Sequence, residues 1–135
     1  MAIDYGTKRT GLAVTDPEQI IATALDTVAS SEVMAYLKKY VQRESVECFV
    51  VGEPLQMNYT PSEIAPKVDA FVRQLVKSFP EIPVKRIDER FTSKIAAHSM
   101  LLNGLKKSER RNKALIDQRS AVLMLQMYME MNKNS

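Results

Sequence analysis

The chain has 135 residues, of which 45% are hydrophobic and 26% charged, as is typical of one soluble α/β domain over residues 1–135. Its single cysteine, Cys48, excludes an intrachain disulfide and fits a reducing compartment, and we find neither a membrane-spanning apolar run nor a signal-peptide pattern. The net charge of +3 and the isoelectric point of about 9.0 modestly favour an anionic partner.

The amino-terminal part of the chain predicts three consecutive strands, over residues 3–5, 10–14 and 20–28. Gly6 to Arg9 form the first turn and Asp16-Pro17 begins the second. Connections this short predict an antiparallel meander. A carboxylate, Asp4, therefore lies in the first strand beside a turn that carries a hydroxyl and two cations.

A helix and a buried strand follow the meander. Ser30 or Ser31 is predicted to cap the first helix, which runs to about Glu44. The apolar run Val46–Val51, interrupted only by one glutamate, predicts a buried parallel strand that ends before Gly52.

The rest of the chain predicts one more strand, over residues 84–88, and further helices. Thr60, Pro61 and Glu63 are start signals for a helix that runs to about Phe79. Two later helices are predicted over 92–104 and from 108 to about 131. Strand–helix–strand crossovers after a meander indicate an α/β fold, with a five-stranded mixed sheet and helices on both faces.

Acidic residues fall where the predicted strands end. Asp4 lies near the end of the first strand, Glu53 follows the fourth, and Asp88-Glu89 ends the fifth. Sites in open α/β sheets cluster outside the carboxyl ends of parallel strands, and Asp117 is predicted early in the last helix. Carboxylates that converge repel one another unless a cation lies between them, so we expect a divalent metal. Oxygen ligands favour Mg²⁺ or Mn²⁺ over Zn²⁺.

Basic residues are concentrated around these acids. Between Arg86 and Arg119 there are nine Lys or Arg residues against four Asp or Glu residues. The candidates for nucleic-acid or phosphate contact are Thr7, Lys8, Arg9, Arg90, Arg110, Arg111 and Lys113. A basic collar around an acidic pocket suits a phosphodiester-cleaving enzyme, whereas a merely solvated charged helix is the other interpretation.

Five motifs follow one another in an order that resembles a bacterial family. They are Asp4-Tyr5-Gly6-Thr7-Lys8-Arg9-x-Gly11, Asp16-Pro17, Val50-Val51-Gly52-x-Pro54-Leu55-x-Met57-Asn58, Asp88-Glu89-Arg90-Phe91-Thr92-Ser93 and Ile116-Asp117-x-x-Ser120-Ala121-Val122-Leu123-x-Leu125-Gln126. Together they resemble the Holliday-junction-resolvase-like proteins of the YqgF type, which are also described as pre-16S rRNA nucleases. The match spans nearly the whole chain.

The resemblance implies an RNase H-like fold, with which the predicted strand order agrees. It also implies a cytoplasmic, divalent-metal-dependent nuclease that helps to process the 5′ end of the small-subunit ribosomal RNA precursor. Its acidic set would be Asp4, Glu89 and Asp117, which would bind Mg²⁺ or Mn²⁺ and carry catalysis. The partner is then a nucleic acid, and the chain is a monomer or a homodimer.

Two departures from the family pattern matter. The residue before Pro54 is usually apolar in the family, but here it is Glu53. An acid at the end of the fourth strand is catalytic in related resolvases, so Glu53 is a further candidate metal ligand. Family members also usually have several residues before the first motif, where this chain has three, so we expect the natural start to lie upstream.

Three alternative functions remain open from the sequence. The first is a Holliday junction DNA resolvase, whose symmetric cleavage would require a dimer. The second is a ribosome-assembly factor that binds RNA without cleaving it. The third, an ATPase of the actin-like type, is disfavoured because 135 residues leave no room for the second domain that closes over a nucleotide.

Overall fold

The computed structural model describes residues 1–53, 64–88 and 113–133, and the structural statements below concern these ranges. They form one sheet whose strands are β1 (Ala2–Tyr5), β2 (Arg9–Thr15), β3 (Ala22–Ala29), β4 (Phe49–Glu53) and β5 (Val84–Asp88). The α-helices are α1 (Val33–Arg43), α2 (Ala65–Ser78) and α3 (Lys113–Lys133). A single 3₁₀ turn, Ser30–Glu32, joins β3 to α1.

The sheet is mixed, and its spatial order is β3-β2-β1-β4-β5. Strands β1, β2 and β3 form the predicted antiparallel meander, whereas β1 pairs with β4 and β4 with β5 in parallel. Val50 and Val51 are fully buried although they point to opposite faces, which explains why the first three residues of β4 are all apolar. The α/β prediction is thus confirmed, and the architecture is consistent with an RNase H-like fold.

Each face of the sheet packs against different helices. Successive residues of a strand point to opposite faces, so Ile3, Leu12 and Val51 face α1 and α2, while Ala2, Ala13 and Val50 face α3. The first core is completed by Val33, Leu37, Phe49, Val68, Phe71 and Leu75. The second is completed by Ile87, Ala121, Met124 and Leu125. The predicted helices on both faces are therefore confirmed.

Helix α3 meets the sheet through alanines. Ala121 of the helix and Ala2 and Ala13 of the strands are all fully buried in the same cluster. Because these side chains end at Cβ, the helix can lie close to the central strands. In the described part of the chain, none of the helices has the length and hydropathy that crossing a membrane requires.

Several predicted boundaries differ from the structure or fall outside the described residues. Strand β4 begins at Phe49 rather than Val46 and continues through Glu53, because its ladder with β5 starts at Phe49↔Val84 and ends at Glu53↔Asp88. Helix α2 begins at Ala65. The start signals at residues 60–63 and the predicted helix over 92–104 lie outside the described residues, as does the predicted start at 108.

The predicted serine cap of the first helix is wrong. The residue that caps α1 is Glu32, and no side chain bonds a backbone amide there. The 3₁₀ turn before it likewise has no side-chain cap. The hydroxyl of Ser30 is used elsewhere, because it donates to the carbonyl of Gly6 in the β1–β2 turn. The hydroxyl of Ser30 thus makes a tertiary hydrogen bond instead of capping the helix.

Candidate active site

The carboxyl ends of three strands meet at one edge of the sheet. Strands β1, β4 and β5 are mutually parallel, so Asp4, Glu53 and Asp88 all lie at this edge, as the sequence predicts. Glu89 follows Asp88 and lies outside the described residues. The edge is where sites form in open α/β sheets.

Asp4 and Glu53 lie on opposite faces of the sheet. Asp4 is two residues after Ala2 and shares its face, which is covered by α3. Glu53 is two residues after Val51 and shares the face that is covered by α1 and α2. Strand alternation thus separates the two carboxylates, although both stand at the same edge.

Glycines flank Asp4 on both neighbouring strands. Gly11 of β2 is its register partner. The β1–β4 register runs from Ala2↔Val50 to Ile3↔Val51, so its next step places Gly52 of β4 on the other side. No neighbouring side chain from these two positions crowds the carboxylate, which is half-buried. On the α3 face, the positions beside Asp4 on both neighbouring strands therefore carry no side chain.

The amino-terminal part of α3 lies towards the edge of the sheet that carries Asp4. Ala121 of α3 packs with Ala2 and Ala13, and the later residues Leu125 and Met129 line a cavity beside Met1 at the amino end of β1, so α3 runs roughly antiparallel to β1. At about 1.5 Å per helical residue, Asp117 lies about 12 Å before Leu125. At about 3.3 Å per strand residue, Asp4 lies about 10 Å beyond Met1. By these lengths, the backbone of Asp117 lies towards the edge that carries Asp4.

The β1–β2 turn carries the predicted phosphate-binding residues. Thr7 and Lys8 are exposed and Arg9 is half-buried. Gly6 is required for steric reasons, since a Cβ at this position would lie 2.4 Å from the carbonyl oxygen of Arg9. The turn is thus tight, and its exposed cation, Lys8, lies beyond the end of β1 that carries Asp4.

Ser30 ties this turn to the end of β3. Its hydroxyl donates to the carbonyl of Gly6 at 2.6 Å, and its amide donates to the carbonyl of Lys8 at 3.0 Å. The hydroxyl of Thr10 lies 2.8 Å from that of Ser30. Both hydroxyl groups belong to buried residues.

The sequence does not predict this hydroxyl pair. The available signal was Thr10, a polar residue at a core-facing position between Tyr5 and Leu12 in the hairpin pattern. A buried hydroxyl needs a hydrogen-bond partner, but the sequence does not show which residue provides it. Its local pattern instead predicts Ser30 or Ser31 as a helix cap.

The remaining predicted site residues are only partly described. Lys113 is the first residue of α3 and Asp117 lies in its first turns. Arg90, Arg110 and Arg111 lie outside the described residues. Within residues 1–53, 64–88 and 113–133, no three acidic, histidine or cysteine residues form a group that could hold a metal ion. The set Asp4, Glu89 and Asp117 stays a prediction.

Comparison with known proteins identifies the family. The family model described as RuvX, Holliday junction resolvase, matches residues 1–131. A protein of Parabacteroides distasonis is 53% identical over 133 residues, which are 98% of this chain and 95% of that protein. Proteins of Phocaeicola vulgatus and Christiangramia forsetii are 52% and 50% identical, over 98% and 96% of this chain and 96% of each relative. The names of all three describe a pre-16S rRNA nuclease.

The family match and the geometry agree. The motif around Asp4 lies at the carboxyl edge of the sheet beside a basic turn, and the match extends over α3, which approaches the same edge. Members of this family are nucleases, that is, hydrolases that act on phosphodiester bonds. The chain belongs to the RuvX family of Holliday-junction-resolvase-like nucleases.

Proposed function

We propose that this chain is a divalent-metal-dependent endonuclease that cleaves pre-16S rRNA during 5′-end processing. The observation that carries the proposal is the position of Asp4. Its carboxylate stands half-buried at the carboxyl edge of β1, between two glycines and next to the turn that carries Thr7 and Lys8. The names of relatives that are at least half identical to the chain support the ribosomal substrate.

We assign Asp4, Glu89 and Asp117 to the metal-binding set. The donors are carboxylate oxygens, which fit Mg²⁺ or Mn²⁺, and glycines occupy the positions beside Asp4 on both neighbouring strands. A divalent cation bound there would supply Lewis acidity and an acidified water. The antiparallel course of α3 along β1 supports the inclusion of Asp117.

Glu53 lies outside this set in our proposal. Its position two residues after Val51 directs it to the face that is covered by α1 and α2, away from Asp4. A carboxylate on the face opposite to Asp4 could share a cation with it only if the end of β4 rotated about its own axis. The acid at the end of the fourth strand therefore has a different role here.

The basic residues bind and orient the nucleic acid. Lys8 and Arg9 neutralise the phosphate nearest to the acidic set, and the hydroxyl of Thr7 adds a donor. Arg90, Arg110, Arg111 and Lys113 hold flanking backbone phosphates. Such contacts release counterions, so we expect affinity to fall steeply as the salt concentration rises.

Cytoplasmic location and a monomeric active form complete the proposal. Ribosomal RNA precursors are in the cytoplasm of bacteria, and a lone cysteine fits its reducing conditions. One strand of RNA needs one active site, so a monomer suffices. The family description supports branched DNA as the second candidate substrate, and symmetric cleavage of a junction would require a homodimer.

The test uses two substrates and a matched pair of variants. The purified protein is incubated with Mg²⁺ or Mn²⁺ and either a 5′ fragment of precursor 16S rRNA or a four-way DNA junction. Asp4→Asn and Glu53→Gln each replace a carboxylate by an amide at the end of neighbouring strands. We expect cleavage of the RNA only, a loss of about 100-fold or more in Asp4→Asn, and activity within about twofold of the parent in Glu53→Gln.

Other outcomes would change the assignment. Symmetric cuts in the junction alone would make the protein a DNA resolvase. Binding of the RNA without cleavage under either ion would make it an assembly factor. Cleavage that survives Asp4→Asn would refute the proposed acidic set.

A further inference from the structure

We infer that Ser30 is a positioning residue, which orients the β1–β2 turn so that the amide of Thr7 faces the substrate phosphate. This inference rests on the proposed nuclease function, and nothing in the family motifs includes Ser30. It starts from the three hydrogen bonds that join Ser30 to Gly6, Lys8 and Thr10 among the described residues.

The direction of these bonds follows from counting protons. Ser30 has one hydroxyl proton, and it donates this proton to the carbonyl of Gly6 at 2.6 Å. The bond between the two hydroxyl groups, at 2.8 Å, must therefore use the proton of Thr10. The result is a directed chain from Thr10 through Ser30 to the carbonyl of Gly6. Each buried hydroxyl is satisfied, and the chain ends on the turn.

The orientation of the Gly6 carbonyl determines that of the next amide. The described peptide bonds contain no cis bond, so the peptide between Gly6 and Thr7 is planar and trans. The N–H of Thr7 then points away from Ser30. Thr10 shares its face with Tyr5, its register partner, which packs against the α1 and α2 core. The N–H of Thr7 is therefore directed towards the face that carries Asp4.

Loss of this bond would allow the peptide to rotate. A carbonyl oxygen would then replace an N–H donor on the side where a phosphate oxygen approaches, and the two oxygens would repel each other. The amide of Ser30, which bonds the carbonyl of Lys8 at 3.0 Å, does not fix the Gly6–Thr7 peptide. The side chain of Ser30 is thus specifically required, whereas its backbone is not sufficient.

The test compares two adjacent serines. Ser30 is buried and bonded to the turn, whereas Ser31 is exposed. We expect Ser30→Ala to raise KM for the RNA about fivefold to tenfold, with kcat within about twofold, because a contact to a held phosphate stabilises ground state and transition state alike. Ser31→Ala should change neither value. Ser30→Thr, which keeps the hydroxyl, should restore KM to within about twofold of the parent.

The salt dependence of binding separates positioning from charge. Ser30→Ala removes no cation, so the slope of log affinity against log salt should stay that of the parent, while Lys8→Ala should reduce it by about one. Thermal melting of each variant shows that it is folded. If Ser30→Ala does not fold, Thr10→Val replaces it, and a smaller rise of KM in the same direction is expected.

The failures can be distinguished. Equal KM values for Ser30→Ala and Ser31→Ala in folded proteins would overturn this inference and leave the nuclease proposal intact. A drop in kcat with unchanged KM would also overturn it. Cleavage that persists in Asp4→Asn would overturn the nuclease proposal itself, whatever the serine variants do.

Discussion

Enlarging Ala121 should lower both stability and activity. Ala121 lies in α3 and is fully buried against the face that carries Ala2 and Ala13, which are also fully buried. A leucine at this position adds three carbons where both surfaces end at Cβ. Because β1 and β2 are central strands that cannot recede, the helix must move outwards. Asp117, one helical turn earlier, would move with it.

The structure sets the size of the effect. Overpacking of a tight core typically costs about 1–3 kcal/mol, and about 2 kcal/mol is reasonable for three carbons between three buried alanines. For a chain of 135 residues, this lowers the melting temperature by roughly 6–10 °C. A displacement of about 1 Å in a catalytic group costs about 100-fold in rate. We therefore expect the decrease in kcat to be far larger than the decrease in the fraction of protein that is folded.

Thermal melting and single-turnover cleavage measure the two effects. Gln126→Leu is the matched control, since it adds leucine at an exposed position of the same helix and should change the free energy of unfolding by less than about 0.5 kcal/mol. An unchanged melting temperature in Ala121→Leu would refute the close packing of α3 on the sheet. A lowered melting temperature with unchanged kcat would refute the place of Asp117 in the site.

Two further predictions concern the ends of strands. The amides of Ile21 and Ile20 hold the pKa of Asp16 below its usual value of 3.8, so this stabilisation is complete above pH 3.8 and is lost as the pH falls through the lowered pKa. Asp16→Ala should thus lower the melting temperature at neutral pH but much less in strong acid, with Glu18→Ala as the control. An equal decrease of the melting temperature at both pH values would contradict this prediction. Arg86 donates to the carbonyl of Gly52 at 3.2 Å and pairs with the exposed Asp69 at 3.4 Å. In urea unfolding, Arg86→Met should cost about 1–2 kcal/mol and Asp69→Asn less than about 0.5 kcal/mol; equal costs would mean that the ion pair dominates.

Local patterns identified most of the elements. The strand at Val84–Asp88 has the predicted boundaries, and the hairpin around Asp4 differs by only a residue at each end. The alternation of apolar and polar residues within these three strands determines them, and this alternation is visible in the sequence. The boundary of β4 was missed because Gly52 and Glu53 carry no apolar signal. Pairing with Ile87 and Asp88 extends the strand through them.

The sequence also placed Asp4 and Glu53 at strand ends but could not separate them. Two carboxylates at the ends of neighbouring parallel strands look equivalent in one dimension. Their faces depend on the register of β1 and β4, in which Ala2 pairs with Val50. That register puts an even-numbered residue of one strand beside an even-numbered residue of the other. Asp4 and Glu53, one even and one odd, therefore point to opposite faces.

Local sequence is enough to predict the five strands, the three described helices, the positions of Asp4 and Glu53 at strand ends and the basic turn, because each follows from neighbours within a few residues. The bond from Ser30 to the turn, in place of a helix cap, depends on how the strands pair. Its partner Gly6 is 24 residues away, and the two meet only once β1, β2 and β3 have paired. A hydroxyl donates to an acceptor that the assembled sheet brings within hydrogen-bonding distance. The local sequence around Ser30 does not show which acceptor that will be.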